Sequence, residues 1–242
     1  MITEESFVDF KCPYCGDTVS FPRDCVGFAQ ACPNCTESVI VPEDGSEMGF
    51  RPPIPMTTPR LVLRRLQAGD WKDLLECLAD EELFRYTEGH PLEEAEMIHW
   101  LESDSHVKLT TPGQAFYLGM EVQDGGKLVG YLSLILTDPQ RLHAAINILV
   151  GRNHQRKGLA TEAMAALFDF CFRGIKLHRV TASCDSRNVA ACRLVEKAGM
   201  RREGVFLKDH FADGEWFDTV SYAVLNEDFA KEDGSPPKSA AT

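Results

Sequence analysis

The sequence predicts a mixed α/β sheet of about seven strands with helices on its faces, preceded by a small module organised by cysteines. Three observations predict it. Strand-like and helix-like apolar periods alternate from Arg60 to about residue 229. Within that span, residues 144–150 form a short run that is apolar at every position but Asn147, as suits a strand at the centre of a sheet. Five of the nine cysteines lie in the first 35 residues, four of them as two Cys-x-x-Cys pairs. The chain of 242 residues is 44% hydrophobic and 26% charged, fractions that fit a packed protein and exclude a disordered one.

Charge narrows the partners. Lys and Arg total 25 against 37 Asp and Glu, a net of −12. Residues 1–56 hold three basic and nine acidic side chains and the remainder 22 and 28, so each part carries −6. A surface negative throughout repels phosphate backbones and argues against nucleic acid as a partner, while steering basic amines or peptides weakly towards it. No run approaches the roughly 18 apolar residues of a membrane helix. The acidic start MITEESFVDFK lacks the basic and apolar regions of a signal peptide. A cytoplasmic protein without a membrane partner is expected.

Along the chain, residues 1–41 alternate short apolar runs with Cys-Pro turns. Residues 42–59 carry five prolines and two glycines without periodicity, a stiff linker and domain boundary. Residues 60–66 then read as a strand, 71–79 and 92–101 as helices, with Pro91 at the second helix start. Strands 115–122 and 128–136 flank Asp124-Gly125-Gly126, a hairpin turn. The apolar strand 144–150 is followed by a helix over 161–173, with Met164, Leu167, Phe168 and Cys171 on one face and Gly174 as its stop. Residues 178–184 form a strand, and 189–198 a helix between Asn188 and Gly199. Strands 201–207 and 216–225 surround an Asp213-Gly214 turn, and residues 230–242 are a small, polar tail.

Cys12-Pro-Tyr-Cys15 and Cys32-Pro-Asn-Cys35 each bring two sulfurs together, and two such turns complete a tetrahedral thiolate site. A 41-residue segment cannot bury enough core to fold alone, whereas zinc supplies roughly 10–16 kcal/mol of apparent binding energy. A Zn2+ held by Cys12, Cys15, Cys32 and Cys35 is expected to be structural, because four thiolates leave no open position. The odd cysteine count argues against a disulfide framework. Cys25, between the pairs, is left out of the site. The segment resembles small zinc ribbons of the form CPxCG…CPxC, here followed by Val39-Ile40-Val41-Pro42, which occur as accessory modules.

The stretch after the apolar strand runs Gly151-Arg152-Asn153-His154-Gln155-Arg156-Lys157-Gly158-Leu159-Ala160-Thr161. Strand, basic loop, glycine and helix start together present backbone N–H groups and a positive dipole end suited to phosphate. It is neither GxxxxGK[ST] nor GxGxxG. Gln155-x-x-Gly158-x-Ala160 resembles the acyl-CoA pyrophosphate loop of the GNAT superfamily of N-acetyltransferases. A second block strengthens the resemblance: Asn188-Val189-Ala190-Ala191 with Glu196-Lys197-Ala198-Gly199-Met200 is similar to that superfamily's "N-x-x-S/A…EK-x-GF" helix. Asp213-Gly214-Glu215-Trp216-x-Asp218 resembles the "DG-x-W-x-D" hairpin of the branch that acetylates ribosomal-protein N-termini, and Arg60-Leu61-Val62-Leu63-Arg64 suits its first strand. The resemblance covers residues 60–229 and implies a GNAT-like twisted sheet.

It also implies transfer of acetyl from acetyl-CoA to a primary amine, a small molecule or a protein N-terminus, by direct attack in a ternary complex. Backbone groups of Ile148, Leu149 and Val150 would pair with pantetheine and polarise the thioester carbonyl. Gln155, Arg156, Lys157, Gly158, Leu159, Ala160 and Thr161 would hold the pyrophosphate, and Asn188 the pantetheine arm, unless Asn188 is only a helix cap. The amine, with a pKa of about 10.4, must lose a proton, and the thiolate must regain one. Family members supply the acid from a Tyr seven residues after the Asn or a Ser three after it. Here those positions are Val195 and Ala191, which donate nothing. His210 and Cys192 are the substitute candidates, His143 a weaker one; Glu162 is expected to cap or pair locally, and Glu88 to line an amine pocket. Without an acid, the competing expectation is a catalytically silent acyl-CoA sensor. A protein partner is expected to meet the ribbon.

Overall fold

The computed structural model describes residues 7–42, 53–87, 89–104, 106–109, 113–138, 142–212 and 214–232. The linker residues 43–52, the tail 233–242, Glu88 and Asp213 lie outside the described residues.

The cysteine module is a pair of hairpins: β1 (Phe7–Lys11) with β2 (Thr18–Pro22), and β3 (Ala29–Ala31) with β4 (Ser38–Ile40). Each Cys-Pro-x-Cys turn closes one hairpin, with Gly16 N–H donating to the Cys12 carbonyl and Thr36 N–H to that of Cys32, both at 2.9 Å. Both closing residues are left-handed; a β-branched Thr36 at φ +62° is uncommon and marks a tightly held turn. Val8, Phe10, Val19, Val39 and Val41 make a small core. The module packs against the rest of the chain: Ala29 and Ile40 join the buried cluster of the large sheet, and Glu37 pairs with Lys108 at 2.5 Å.

The large sheet has eight strands in the order β11 (Arg201–Ala212), β12 (Glu215–Leu225), β10 (Arg179–Asp185), β9 (His143–Val150), β8 (Leu128–Leu136), β7 (Ala115–Val122), β6 (Leu61–Arg65) and β5 (Met56–Thr57). The extra strand is β5, drawn from the expected linker to pair with β6. Its flanking prolines hide it in sequence, and an edge position tolerates them. All neighbours are antiparallel except β9 and β10.

Helices cover both faces of the sheet. α1 (Trp71–Cys77) and α2 (Glu94–Asp104) bury Leu74, Met97 and Leu101 on one face with Leu66 and Leu128. Helix α2 begins three residues after Pro91, not at it. α3 (Leu159–Asp169) and α4 (Val189–Lys197) cover the other face. Met164, Leu167, Phe168 and Cys171 are buried there as the period requires, although beyond Asp169 the helix widens into a π-type turn that ends at Gly174. α5 (Asn226–Glu232) follows β12 directly. Among the described residues no helix is long and apolar enough to cross a membrane.

Candidate active site and cysteine centre

β9 and β10 begin as a parallel pair and then part. Their register holds only at His143↔Arg179, Ala144↔Val180 and Ala145↔Thr181. Beyond it β9 keeps β8 as far as Gly130↔Val150, and β10 keeps β12 as far as Asp185↔Thr219. A wedge therefore opens between residues 146–150 and 182–185. Gly151 N–H donates to the Val129 carbonyl at 2.9 Å, which makes Val150↔Gly130 a non-hydrogen-bonded pair. Alternation then turns the backbone groups of Ile148 and Val150 into the wedge and those of Leu149 towards Tyr131. Leu149 thus departs from the sequence expectation, which the two-residue period of a strand explains. Gly130 permits the geometry, since a Cβ there would lie 2.2 Å from the Leu149 carbonyl oxygen.

The loop at the wedge mouth is fixed by its own backbone. Gln155 Nε2 donates to the Val150 carbonyl at 3.0 Å, so this side chain braces the loop. Arg156 at φ +60° and Gly158 at φ +79° turn the chain into α3, leaving the N–H groups of Leu159, Ala160 and Thr161 without intrahelical partners. Glu162, expected to pair locally, instead reaches about a hundred residues back along the chain. It accepts from Thr58 Oγ1 at 2.6 Å, Arg60 N–H at 2.8 Å and Arg60 Nε at 2.6 Å, while Arg60 Nη1 donates to the Lys157 carbonyl at 2.8 Å. Burial pushes the Glu162 carboxyl up, but Thr58 and Arg60 outweigh it and hold it below its ordinary range. The one acidic side chain in the first turn is thereby matched by a guanidinium.

Asn188 caps α4, its Oδ1 accepting from Ala191 N–H at 3.0 Å, which leaves the Nδ2 amide for other partners. Val195 is buried and Ala191 half-buried. The substitute acids are not brought together. Cys192 lies against Cys184 and Tyr222 on the α3–α4 side, where the Tyr222 hydroxyl donates to Glu196 at 3.0 Å. His210, at a bulge in β11, lines a groove of about 640 Å³ on the opposite side with Glu81, Tyr86, His90, Asp185 and Arg187. Arg187 holds Asp185 at 2.6 Å, which lowers that carboxyl, and stacks on the Phe217 ring. His143 sits at the paired end of β9, roughly 26 Å from the loop at about 3.3 Å per residue.

Sequence reasoning missed three rings. Trp100 from α2, Tyr117 from β7 and Tyr131 from β8 wall a cavity of about 260 Å³ that adjoins the His210 groove at Phe84, Gly89 and His90. Burial pushes both tyrosines up, Tyr131 to about 12. The signal was present, since Tyr117 and Tyr131 lie on one face of a hairpin whose other side chains are mostly aliphatic, yet half-buried rings in strands read as core.

The four expected cysteines do meet. Their sulfurs all lie within 4.8 Å of one another, with Cys12 to Cys35 at 3.7 Å and Cys15 to Cys32 at 3.9 Å. Burial pushes Cys32 up, but the N–H groups of Cys35 and Asn34 outweigh it and bring the thiol down to about 7. Cys15, despite a lowering bond from the Asp17 backbone, is raised to about 12 by burial and by its sulfur neighbours. Cys25 stands outside the group.

The site thus joins a wedge between two parting strands to a glycine-hinged helix N-terminus. Residues 60–201 match the acetyltransferase (GNAT) domain model. The chain is 30% identical over 175 residues to the uncharacterized N-acetyltransferase YnaD of Bacillus subtilis, covering 72% of this chain and 98% of that one. It is 27% identical over 192 residues to the [ribosomal protein uS5]-alanine N-acetyltransferase of Escherichia coli, covering 75% and 97%. The crystal structure of a GNAT-family acetyltransferase from Bacillus anthracis superposes with a TM-score of 0.65 at 27% identity, over 71% of this chain and 98% of that one. The chain belongs to the GNAT acetyltransferase family, and its chemistry is the acetyl-CoA-dependent acetylation of an amine.

Proposed function

We propose that acetyl-CoA lies in the β9–β10 wedge and that its acetyl group passes directly to a primary amine arriving from the α1–α2 side. The observation that carries this is the parting of β9 from β10 after Ala145, in the strand that leads into the Gly158 hinge. Ile148 and Val150 offer main-chain groups to the pantetheine, and Asn188 offers its amide. Gln155 to Thr161 hold the pyrophosphate, with N–H groups of the turn and helix start as donors and Arg156 and Lys157 as counter-charges. The Ile148 N–H polarises the thioester carbonyl. His210 and the groove it shares with Asp185 lie on the acceptor's approach, where a base acts through one water; Cys192, on the other face, is left a packing role. Thermal unfolding with and without acetyl-CoA tests the reading. At a hundredfold excess over Kd, binding adds about 2.7 kcal/mol, and Gly158→Trp abolishes the shift. An unshifted wild type overturns the proposal.

Residues 1–41 are proposed as a zinc ribbon, 42–59 as a linker whose end adds β5 to the large sheet, 60–229 as the catalytic domain and 230–242 as a tail that follows on from α5. The cysteine centre fits the ion: Zn–S bonds of about 2.3 Å give tetrahedral S···S edges of about 3.8 Å, matching the 3.7 and 3.9 Å separations. Four thiolates close the shell, so the metal supplies folding energy and no catalysis. Half-exposed Phe7 and Tyr14 on the module's surface suit contact with a protein partner. One zinc per chain by atomic spectroscopy, lost with Cys12→Ser and Cys32→Ser, is the expected result; a metal-free native protein refutes the zinc.

A further inference from the structure

We infer that the acceptor amine is carried on an apolar or aromatic skeleton held against the ring cluster of Trp100, Tyr117 and Tyr131. This rests on the acetyltransferase reading and names the substrate class of that site. Ring centroids lie 5.0 Å apart for Trp100–Tyr117, 5.4 Å for Trp100–Tyr131 and 5.5 Å for Tyr117–Tyr131, with planes inclined at 87°, 57° and 79°. At these separations the rings touch one another and form a single aromatic wall, whose outward surface offers the cavity C–H and π contacts. Leu78, Leu92 and Met97 complete the walls of a cavity of about 260 Å³.

Position ties the cavity to the reaction. Tyr131 is the register partner of Leu149, the neighbour of Ile148, whose backbone faces the wedge. A skeleton seated against the rings therefore holds its nitrogen beside the thioester. Charge favours the apolar class. Among the described residues no carboxylate lines the cavity itself, Asp104 behind Tyr117 is paired with Arg65 at 3.2 Å, and the carboxylates of the adjoining groove are Asp185, held by Arg187 at 2.6 Å, and the exposed Glu81. A polyamine seated in the cavity would place an ammonium there without a counter-charge among the described residues. The apolar walls also favour the neutral amine that attacks. In the step itself the nitrogen bonds to the acyl carbon as the C–S bond breaks, one proton leaves the nitrogen, and one reaches the thiolate.

The test measures CoA release by the full chain with four acceptors: 2-phenylethylamine, spermidine, and two peptides identical except for an N-terminal Phe or Ser. The inference expects kcat/KM for 2-phenylethylamine or the Phe peptide to exceed that for spermidine and the Ser peptide by about tenfold or more; which of the two leads tells a small amine from a protein N-terminus. Trp100→Ala should raise KM for the apolar acceptor about tenfold with kcat nearly kept, and leave the acetyl-CoA thermal shift unchanged. Should Trp100→Ala fail to fold, Leu92→Asp at the half-exposed rim should move preference towards spermidine. Equal or better turnover of spermidine or the Ser peptide overturns the inference, as does an intact acetyl-CoA shift with no turnover of any acceptor; both leave the cofactor reading standing. Loss of the shift in the wild type overturns both.

Discussion

The two walls of the cleft are made of different material. The wall proposed for the cofactor is main chain: strand groups of β9, the turn through Arg156 and Gly158, and the first N–H groups of α3. The wall proposed for the acceptor is side chain: one ring each from α2, β7 and β8, with aliphatic residues beside them. A main-chain wall survives any substitution that keeps its geometry, and fails where a Cβ intrudes. A side-chain wall changes its ligand with a single substitution while the strand ladder beneath is untouched. The same cofactor site can therefore serve many acceptors, which is why family membership states the reaction without stating the substrate.

The contrast breaks most sharply at Gly130. Its replacement by Ala places a carbon 2.2 Å from the Leu149 carbonyl oxygen, a backbone atom that cannot rotate away. The strands must shift, and the wedge with them. Gly130→Ala is expected to erase the acetyl-CoA thermal shift and to lower kcat/KM by about a hundredfold, the scale of a misplacement near 1 Å. A variant that keeps both would show that the wedge is not where the cofactor lies.

Legibility follows the same division. Gly158, Gln155 and Asn188 are visible in the sequence because backbone sites demand particular residues at particular spacings. Each of the three serves the main chain, Gly158 as a left-handed hinge, Gln155 as a brace on Val150 and Asn188 as a cap on Ala191. The cysteines were legible for a similar reason, since four ligands in two turns leave little freedom. Trp100, Tyr117 and Tyr131 were not, because a ring lining a cavity and a ring filling a core satisfy the same apolar pattern. One further reading failed on distance. Glu162 finds Arg60 across the fold, a pairing that no local period encodes; Cys192 and His210, offered separately as candidate acids, stand on opposite faces of the sheet. The short β5 escaped notice because two residues between prolines carry no period at all.

A smaller effect sharpens the comparison at the base of the cofactor wall. Thr58 and Arg60 hold Glu162 below its ordinary range, so this carboxylate stabilises the fold above its unfolded pKa of about 4.3, and that contribution fades as pH falls through the lower folded value. Because Arg60 is half-exposed, the bond is discounted, and Glu162→Gln is expected to cost about 1 kcal/mol at pH 7. Urea unfolding of the two proteins should converge in strongly acidic buffer. A constant difference across pH would assign the loss to packing and not to the charge.

Asn188 is the finest probe, because the proposal has one side chain serve the fold and the cofactor with different atoms. Its Oδ1 accepts the cap bond from Ala191 N–H at 3.0 Å, and Nδ2 is the atom proposed to meet pantetheine. Asn188→Ala removes both and should cost about 1 kcal/mol of stability. Asn188→Asp keeps the cap and removes only the amide donor, so stability should hold while the KM for acetyl-CoA rises several-fold, the worth of one hydrogen bond of about 1 kcal/mol. If the Asp variant matches the wild type in KM, Asn188 belongs to the helix alone, and the cofactor wall is main chain throughout.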